Sequence, residues 1–287
     1  MTHYDPLRLT EEEIDRLLGE DAGTGDLTTR VSGIGGKPGA ITYHARDALI
    51  LSGIDEAARI FERLGAEVVF RARAGLDADP GTLLLEARGG AGALHAGWKI
   101  SQIVMEWASG VALATARIVR AATAVAPDIR VACTRKSVPF TKKLSVKAVL
   151  AGGGEVHRLG LAESVMLFAE HRQFFDDPRD LAAIIATVRR HAPEQAVMIE
   201  VATVEEALAA AKAFADVIQL EKFSPDEIHQ VVSGISRRPD GRPVIAAAGG
   251  INPGNAAAYA ASGADVLVTS SPYYARPADI QVRFQTG

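Results

Sequence analysis

The chain has 287 residues, 48% of them hydrophobic and 23% charged, which is enough to bury one large core or two modest ones and excludes a disordered chain. A formal net charge of -4 argues against nucleic acid as the main partner, because phosphate contacts need a basic surface. The single cysteine, Cys133, excludes an internal disulfide framework, fits a reducing cytoplasm, and at a strand end reads as a small buried hydrophobe.

The opening residues, MTHYDPLRLTEEE, carry no cationic region leading into an apolar one. No apolar run approaches the ~20 residues of a membrane span, so a cytoplasmic protein without membrane contact is expected. Thr10 with Glu13 three residues on reads as a capping box and predicts a helix over 11–18. Gly23 and Gly25 then punctuate a turn in EDAGTGDLTTR. From 40 to 86, short apolar runs (49–51, 67–70, 83–85) alternate with one helical stretch (55–64), and Gly75, Pro80 and Gly81 mark turns. That mixture predicts an α+β domain of sandwich type with an antiparallel sheet.

From His95 to Ala124 the chain is rich in Ala, Val and Ile at helical spacing. The reading there is two helices broken near Gly110, with Trp98, Lys99 and Trp107 on them. After Asp128 the rhythm alternates strictly. Apolar runs at 129–132, 165–168, 196–201, 216–220, 244–248 and 265–269 are separated by helical stretches. Helix starts are marked by Asp177-Pro178 with Asp180, Thr203 with Glu206, Ser224-Pro225 with Glu227, and Asn252-Pro253. Such a series means parallel strands covered by helices, closed as a barrel or as a doubly wound sheet; periodicity leaves both open. The expected division is an N-terminal domain over 1–110, an α/β domain over 111–274, and a tail, 275–287, that packs with the first domain.

In either α/β layout ligands bind at the C-terminal ends of the strands. Following the runs, those ends carry Arg135 and Lys136, then Glu200, then Glu221 and Lys222, then Gly249 and Gly250, then Ser270 and Ser271. Lys142 and Lys143 follow the first end. Gly152-Gly153-Gly154 reads as backbone free to approach a ligand, and His157 and Arg158 come just after it. Gly249-Gly250 leads into the predicted helix at Asn252, whose start favours a phosphate. An anion-binding face and a solvated charged surface both remain open on spacing alone. The seven histidines, His3, His44, His95, His157, His171, His191 and His229, form no metal-ligand spacing with the cysteine.

Thr134-Arg135-Lys136, then Pro139, the three glycines and His157-Arg158-Leu159-Gly160-Leu161 resemble the type II phosphoribosyltransferases, the family of quinolinate phosphoribosyltransferase or nicotinate-nucleotide pyrophosphorylase. The resemblance covers the whole chain and is nearest to a branch of pyrophosphorylase-like ModD proteins encoded with molybdate transport systems. It implies an α/β barrel with fewer than eight strands and transfer of a phosphoribosyl group from phosphoribosyl pyrophosphate, with Mg²⁺, to a nitrogen-heterocycle acceptor. Carried over position by position, Lys136, Glu200 and Glu221 would be catalytic, the two glutamates also holding Mg²⁺. Lys136, Gly249, Gly250, Ser270 and Ser271 would bind phosphate. Arg135, His157, Arg158, Phe168 and Lys99 would bind the acceptor, Lys99 from across a homodimer interface in place of the family's arginine.

The departures bear on the acceptor. Phe168-Ala169-Glu170-His171 stands where the family has Lys-Asp-Asn-His, so a lysine that would meet an acceptor carboxylate is replaced by an apolar ring. Glu221 replaces an aspartate, Ala248 a serine, Phe140 a glycine and Tyr274 a histidine. A buried carboxylate left unpaired costs ~3–5 kcal/mol, so a less anionic, aromatic acceptor is expected. The alternatives are a true quinolinate phosphoribosyltransferase of NAD synthesis and a non-catalytic sugar-phosphate-binding protein of molybdenum metabolism.

Overall fold

A computed structural model describes residues 5–235 and 241–286; Met1–Tyr4, with His3, lie outside it. The chain divides into two compact units. The first comprises Met1–Ala116, Ser137–Gly153 and Pro272–Gly287, and the second Arg117–Lys136 and Gly154–Ser271.

The first unit is α+β. Its helices are α1 (Glu11–Ala22), α2 (Leu27–Val31), α3 (Ile54–Arg63), most of α4 (Ala91–Thr123) and α5 (Lys142–Ala151). Its strands are β1 (Pro38–Ala45), β2 (Leu49–Ile50), β3 (Glu67–Arg71), β4 (Asp77–Ala78), β5 (Leu83–Gly90) and the final strand β13 (Ile280–Thr286), numbered in chain order. Four of them form an antiparallel sheet in the order β13-β1-β5-β3, and β2 pairs with β4. Alternating side chains of β1 and β5 (Ile41, Tyr43, Leu85, Ala87) bury against Ala57, Phe61 and Met105, as a one-sided sheet covered by helices requires. Thr10 and Glu13 form the expected capping box, with Glu13 N–H donating to Thr10 Oγ1 at 3.2 Å and Thr10 N–H to Glu13 Oε2 at 2.6 Å.

The second unit holds a seven-stranded parallel sheet. Its strands are β6 (Arg130–Cys133), β7 (Glu155–Val156), β8 (Val165–Leu167), β9 (Val197–Val201), β10 (Val217–Glu221), β11 (Val244–Ala248) and β12 (Val266–Thr269), in the order β7-β6-β12-β11-β10-β9-β8. Among the described residues no ladder joins β7 to β8, so the sheet is a barrel left open at one seam. Five helices of this unit, among the described residues, lie between these strands: α6 (Ala169–Arg172) and α7 (Leu181–His191) after β8, α8 (Val204–Lys212) after β9, α9 (Pro225–Gly234) after β10 and α10 (Ala256–Ala261) after β11. The caps at Asp180, Thr203 and Ser224 are those expected, each accepting from a backbone N–H in the first turn. The outward faces of the strands and the inward faces of the helices share one core, including Ile199, Val201, Ile218, Leu220, Ile245 and Leu267.

Four readings need correction. α4 is one helix of 33 residues with no break at Gly110. A Cβ on Gly110 would lie 2.3 Å from the Arg276 carbonyl oxygen, so that glycine permits a close approach and punctuates nothing. Gly152 is explained the same way: its Cβ would lie 2.3 Å from the Ala112 carbonyl oxygen, and its role is the packing of α5 on α4. The helix expected from Asn252 begins at Ala256. The two asparagines instead build a turn, Asn252 Oδ1 accepting from Gly254 N–H at 2.9 Å and Asn255 Oδ1 from Asn252 N–H at 2.8 Å. Finally, the two-residue strand β7 is too short to leave an apolar run.

No helix among the described residues is long and apolar enough to cross a membrane.

Candidate active site

All seven strands of the barrel deliver side chains to one cavity of about 410 Å³ at their C-terminal ends. β6 contributes Arg135 and Lys136, β7 His157 and Arg158, β8 Phe168, β9 Glu200 and β10 Gln219, Glu221 and Lys222. β11 contributes Gly249 and Gly250, and β12 Ser270 and Ser271. Strand periodicity explains the sorting: Val197, Ile199 and Val201 bury on the outer face, so Glu200 between them points inward. Ala248 and Val268 line the cavity, and Ala246 packs with them.

The predicted residues thus come together, except Lys99. That lysine lies on α4 in the first unit, exposed, its ammonium 4.5 Å from the centre of the Trp98 ring and donating to Gln102 Oε1 at 3.2 Å. Lys142 and Lys143 lie on α5 in the same unit; Lys143 bonds Glu13 at 2.7 Å. The cationic cluster expected around the first strand end is therefore smaller in the cavity, where Arg135, Lys136, His157 and Arg158 remain.

The carboxylate side is built on a register. Gln219 stands opposite Glu200 in the β9–β10 ladder, and its Nε2 donates to Glu200 Oε2 at 2.6 Å. Burial raises the Glu200 pKa; the Gln219 bond and Lys136 oppose that, while the charges of Glu221 and Glu170 add to it. A cation between the two glutamates would relieve that repulsion. Among the described residues no three His, Cys, Asp or Glu side chains group as a metal site; two carboxylates could hold a Mg²⁺ only with its other ligands supplied by phosphates and water.

The end of the neighbouring strand, β8, is aromatic. Phe168 caps the start of α6, its N–H donating to His171 Nδ1 at 3.0 Å, and its ring stacks on His171 at 5.6 Å between centroids. The Arg158 guanidinium lies 5.6 Å over the Phe168 ring, within cation–π range. Arg158 is only 7% exposed and its Nε has no partner among the described residues; burial, then the charge of Arg135, pushes its pKa down. Burial and the neighbouring Arg158 charge also lower the pKa of His157, whose Nε2 is buried without a partner among the described residues. His157 is therefore neutral at pH 7. Cys133, fully buried with its thiol pushed up to about 12, has no nucleophilic role.

At the end of β11, beside Glu221, Gly249 and Gly250 take successive left-handed conformations, φ +93° and +76°. The Gly250 carbonyl accepts from Asn252 Nδ2 at 3.0 Å and Asn255 Nδ2 at 3.1 Å. Among the described residues no partner is found for the N–H groups of Gly249 and Gly250, which makes the turn a concave donor surface of the kind that binds anions. Gln219 escaped the reading of strand ends, because it lies inside its strand. Its signal was a lone polar residue within the apolar run Val217-Ile218-Gln219-Leu220.

Two domain descriptions match the sequence: "Quinolinate phosphoribosyl transferase, N-terminal domain" over residues 26–109 and "Quinolinate phosphoribosyl transferase, C-terminal domain" over residues 111–283. The chain is 51% identical over 241 residues to a ModD protein of Rhodobacter capsulatus, covering 84% of this chain and 92% of that one. A ModD protein of Escherichia coli O6:H1 is 41% identical over 280 residues, with 96% and 97% covered. The solved nicotinate-nucleotide pyrophosphorylase of Francisella tularensis superposes with a TM-score of 0.87 over 99% of this chain and 100% of that one at 21% identity, a likeness of fold.

Proposed function

The chain belongs to the quinolinate phosphoribosyl transferase family, and from that premise we propose that its cavity transfers the phosphoribosyl group of phosphoribosyl pyrophosphate to a ring nitrogen of an aromatic acceptor carrying less negative charge than quinolinate. The observation that carries the acceptor reading is the wall formed by Phe168 and Arg158, with His171 stacked on the Phe168 ring. A guanidinium resting on a phenyl face beside a neutral His157 offers a flat surface with an apolar centre, and the positive charge left for an acceptor is that of Arg135 and Arg158, with no third cation at position 168.

In the reaction the acceptor nitrogen's lone pair forms a bond to C1 of the ribose as the C1–oxygen bond breaks, and that electron pair leaves with pyrophosphate. Positive charge grows on the ribose meanwhile. Glu200 and Glu221, on one side of the cavity, are positioned to stabilise it, and Gln219 holds Glu200 in place. Lys136, the Gly249–Gly250 turn, Ser270 and Ser271 would hold the phosphates, and Arg135, His157 and Arg158 would orient the acceptor. Mg²⁺, held by Glu200 and Glu221 with the phosphates, would neutralise charge on the leaving pyrophosphate. A homodimer, with Lys99 supplied to the partner's cavity, a cytoplasmic location, and a link to molybdenum metabolism belong to the same proposal; the last rests on the likeness to ModD proteins alone.

The test is calorimetric titration with phosphoribosyl pyrophosphate and Mg²⁺, followed by quinolinate and a panel of nitrogen heterocycles while pyrophosphate release is recorded. Release with a neutral or singly charged heterocycle and none with quinolinate is the expected result. Nicotinate mononucleotide and CO₂ from quinolinate would overturn the acceptor reading. Binding without release for any acceptor would favour a non-catalytic sugar-phosphate protein, and absence of binding would remove the phosphoribosyl reading altogether.

A further inference from the structure

Lys222 is a charged residue of the cavity wall that has no role in the chemistry above. It follows Glu221 directly and holds a φ of +61°, a left-handed conformation that strains a residue with a side chain. Phe140 and Phe214 share that conformation among the described non-glycine residues, but of the three only Lys222 lines the cavity. A hydrogen bond fixes the strained geometry: Lys222 N–H donates to the Ala248 carbonyl at 2.7 Å, tying the end of β10 to the end of β11.

The side chain runs beside the anion-binding turn. A Cβ on Gly249 would lie 2.7 Å from Lys222 Cγ and 3.0 Å from Lys222 N, so the lysine stem occupies the space any larger residue at 249 would need. The residue is exposed, and its ammonium has no hydrogen-bond or ion-pair partner among the described residues. Glu221 Oε1 lies 3.3 Å from that same Cβ position, so the turn carries one anionic neighbour and Lys222 offsets it. Two unpaired N–H groups and one unpaired ammonium thus gather at the ends of β10 and β11.

We propose that Lys222 is a phosphate-clamping residue: its ammonium closes over a phosphate oxyanion seated on the Gly249–Gly250 turn, and the left-handed backbone is what directs it there. Lysine suits this position as a point charge on a flexible stem that meets oxygens of any orientation. The ligand chemistry is a phosphate monoester or a pyrophosphate, and its identification as one end of phosphoribosyl pyrophosphate rests on the function proposed above.

Lys222→Gly and Lys222→Asn remove the charge and replace lysine with residues that tolerate left-handed backbone. Calorimetric titration of the full chain with ribose 5-phosphate, and separately with inorganic pyrophosphate and Mg²⁺, should show both variants binding one of these probes about ten-fold more weakly or worse. Both variants should melt at or above the wild-type temperature, and Lys222→Arg should recover part of the affinity. The probe affected tells which end of the substrate is clamped. Unchanged affinity in the variants, with the wild type binding, would overturn this inference alone. Weaker binding with a lower melting temperature in both variants would assign Lys222 to the fold and overturn it too. A wild type that binds neither probe nor phosphoribosyl pyrophosphate would overturn it together with the phosphoribosyl reading.

Discussion

Gln219 Nε2 donates to Glu200 Oε2 at 2.6 Å between residues in register on adjacent parallel strands, so a half-buried carboxylate keeps a fixed direction in the cavity wall. Its pKa is raised, first by burial, which means the folded state disfavours the charged form. The cost is fully present above the folded pKa and vanishes below the ordinary carboxylate range, where the group is protonated in both states. Glu200→Gln should therefore melt higher than wild type at pH 7, an advantage that disappears on acidification towards pH 4, while phosphoribosyl transfer falls by about 10²–10³-fold. Melting curves against pH and pyrophosphate release check the two halves. Gln219→Leu removes the bond that lowers the pKa and should move the acidic limb of the rate profile to higher pH.

Phe168→Lys tests the acceptor wall directly. It replaces the ring that stacks on His171 and carries Arg158 with an ammonium, and a hydrogen bond to a charged group contributes about 1.5–3 kcal/mol. Quinolinate affinity should rise about 10- to 150-fold, and affinity for an uncharged heterocycle should fall. Competition binding in the presence of phosphoribosyl pyrophosphate measures both. Unaltered preference would detach Phe168 from acceptor choice.

His157 gives a pH signature of its own. Burial, then Arg158, lowers its pKa from the ordinary 6.5, so between the folded and unfolded values the unfolded chain binds the extra proton. Stability from this group is present above pH 6.5 and is lost as pH falls through it. The melting temperature of wild type should drop more steeply between pH 7 and pH 5 than that of His157→Gln. Parallel slopes would show His157 titrating normally.

The parallel α/β layout was legible because its strands are short apolar runs with capped helices between them, Asp180, Thr203 and Ser224 marking helix starts that chemistry dictates locally; its closure as a barrel came from the family resemblance and not from the runs. The candidate site was legible for the same reason, since the polar and charged residues that line the cavity follow the runs directly. What stayed hidden depends on contacts distant in sequence. Gly110 and Gly152 look like breaks in a list of residues and are places where backbone meets backbone. Lys143 looked like part of a cationic site until Glu13, 130 residues away, is seen to hold it. β13 pairs with β1 across nearly the whole chain, a register no local pattern encodes.

A buried ion pair in the first unit should behave as a coupled unit. Lys147 Nζ lies 2.6 Å from Glu56 Oε1, Glu56 being 2% exposed, with Asp55 Oδ2 at 3.6 Å. Glu56 Oε2 has no partner among the described residues. Lys147→Met leaves the Glu56 charge buried and should cost about 3–5 kcal/mol, whereas the double variant Glu56→Leu/Lys147→Met should cost clearly less than the sum of the single changes. Denaturant unfolding of all four proteins closes the cycle; additive costs would show that the two residues act independently.

Two helical glycines should respond to alanine with opposite signs. Gly19 lies in α1 with nothing within 4 Å of a modest added Cβ, so Gly19→Ala has only helix propensity to gain and should stabilise by about 0.5–1 kcal/mol. At Gly110 the same propensity gain meets the Arg276 carbonyl at 2.3 Å and Pro277 Cα at 3.0 Å. Both obstacles are backbone and cannot rotate away, so α4 and the C-terminal segment must separate. That separation strains the bonds from Ala278 N–H to the Glu106 carbonyl at 2.8 Å and from Gln102 Nε2 to the Ile280 carbonyl at 2.9 Å. Overpacking of this kind costs about 1–3 kcal/mol or more, and the loss of the two bonds adds to it. Gly110→Ala should therefore melt several degrees below wild type and Gly19→Ala slightly above it. A Gly110→Ala protein as stable as Gly19→Ala would mean that Gly110 is a helix interruption after all and that the segment carrying β13 does not press on α4.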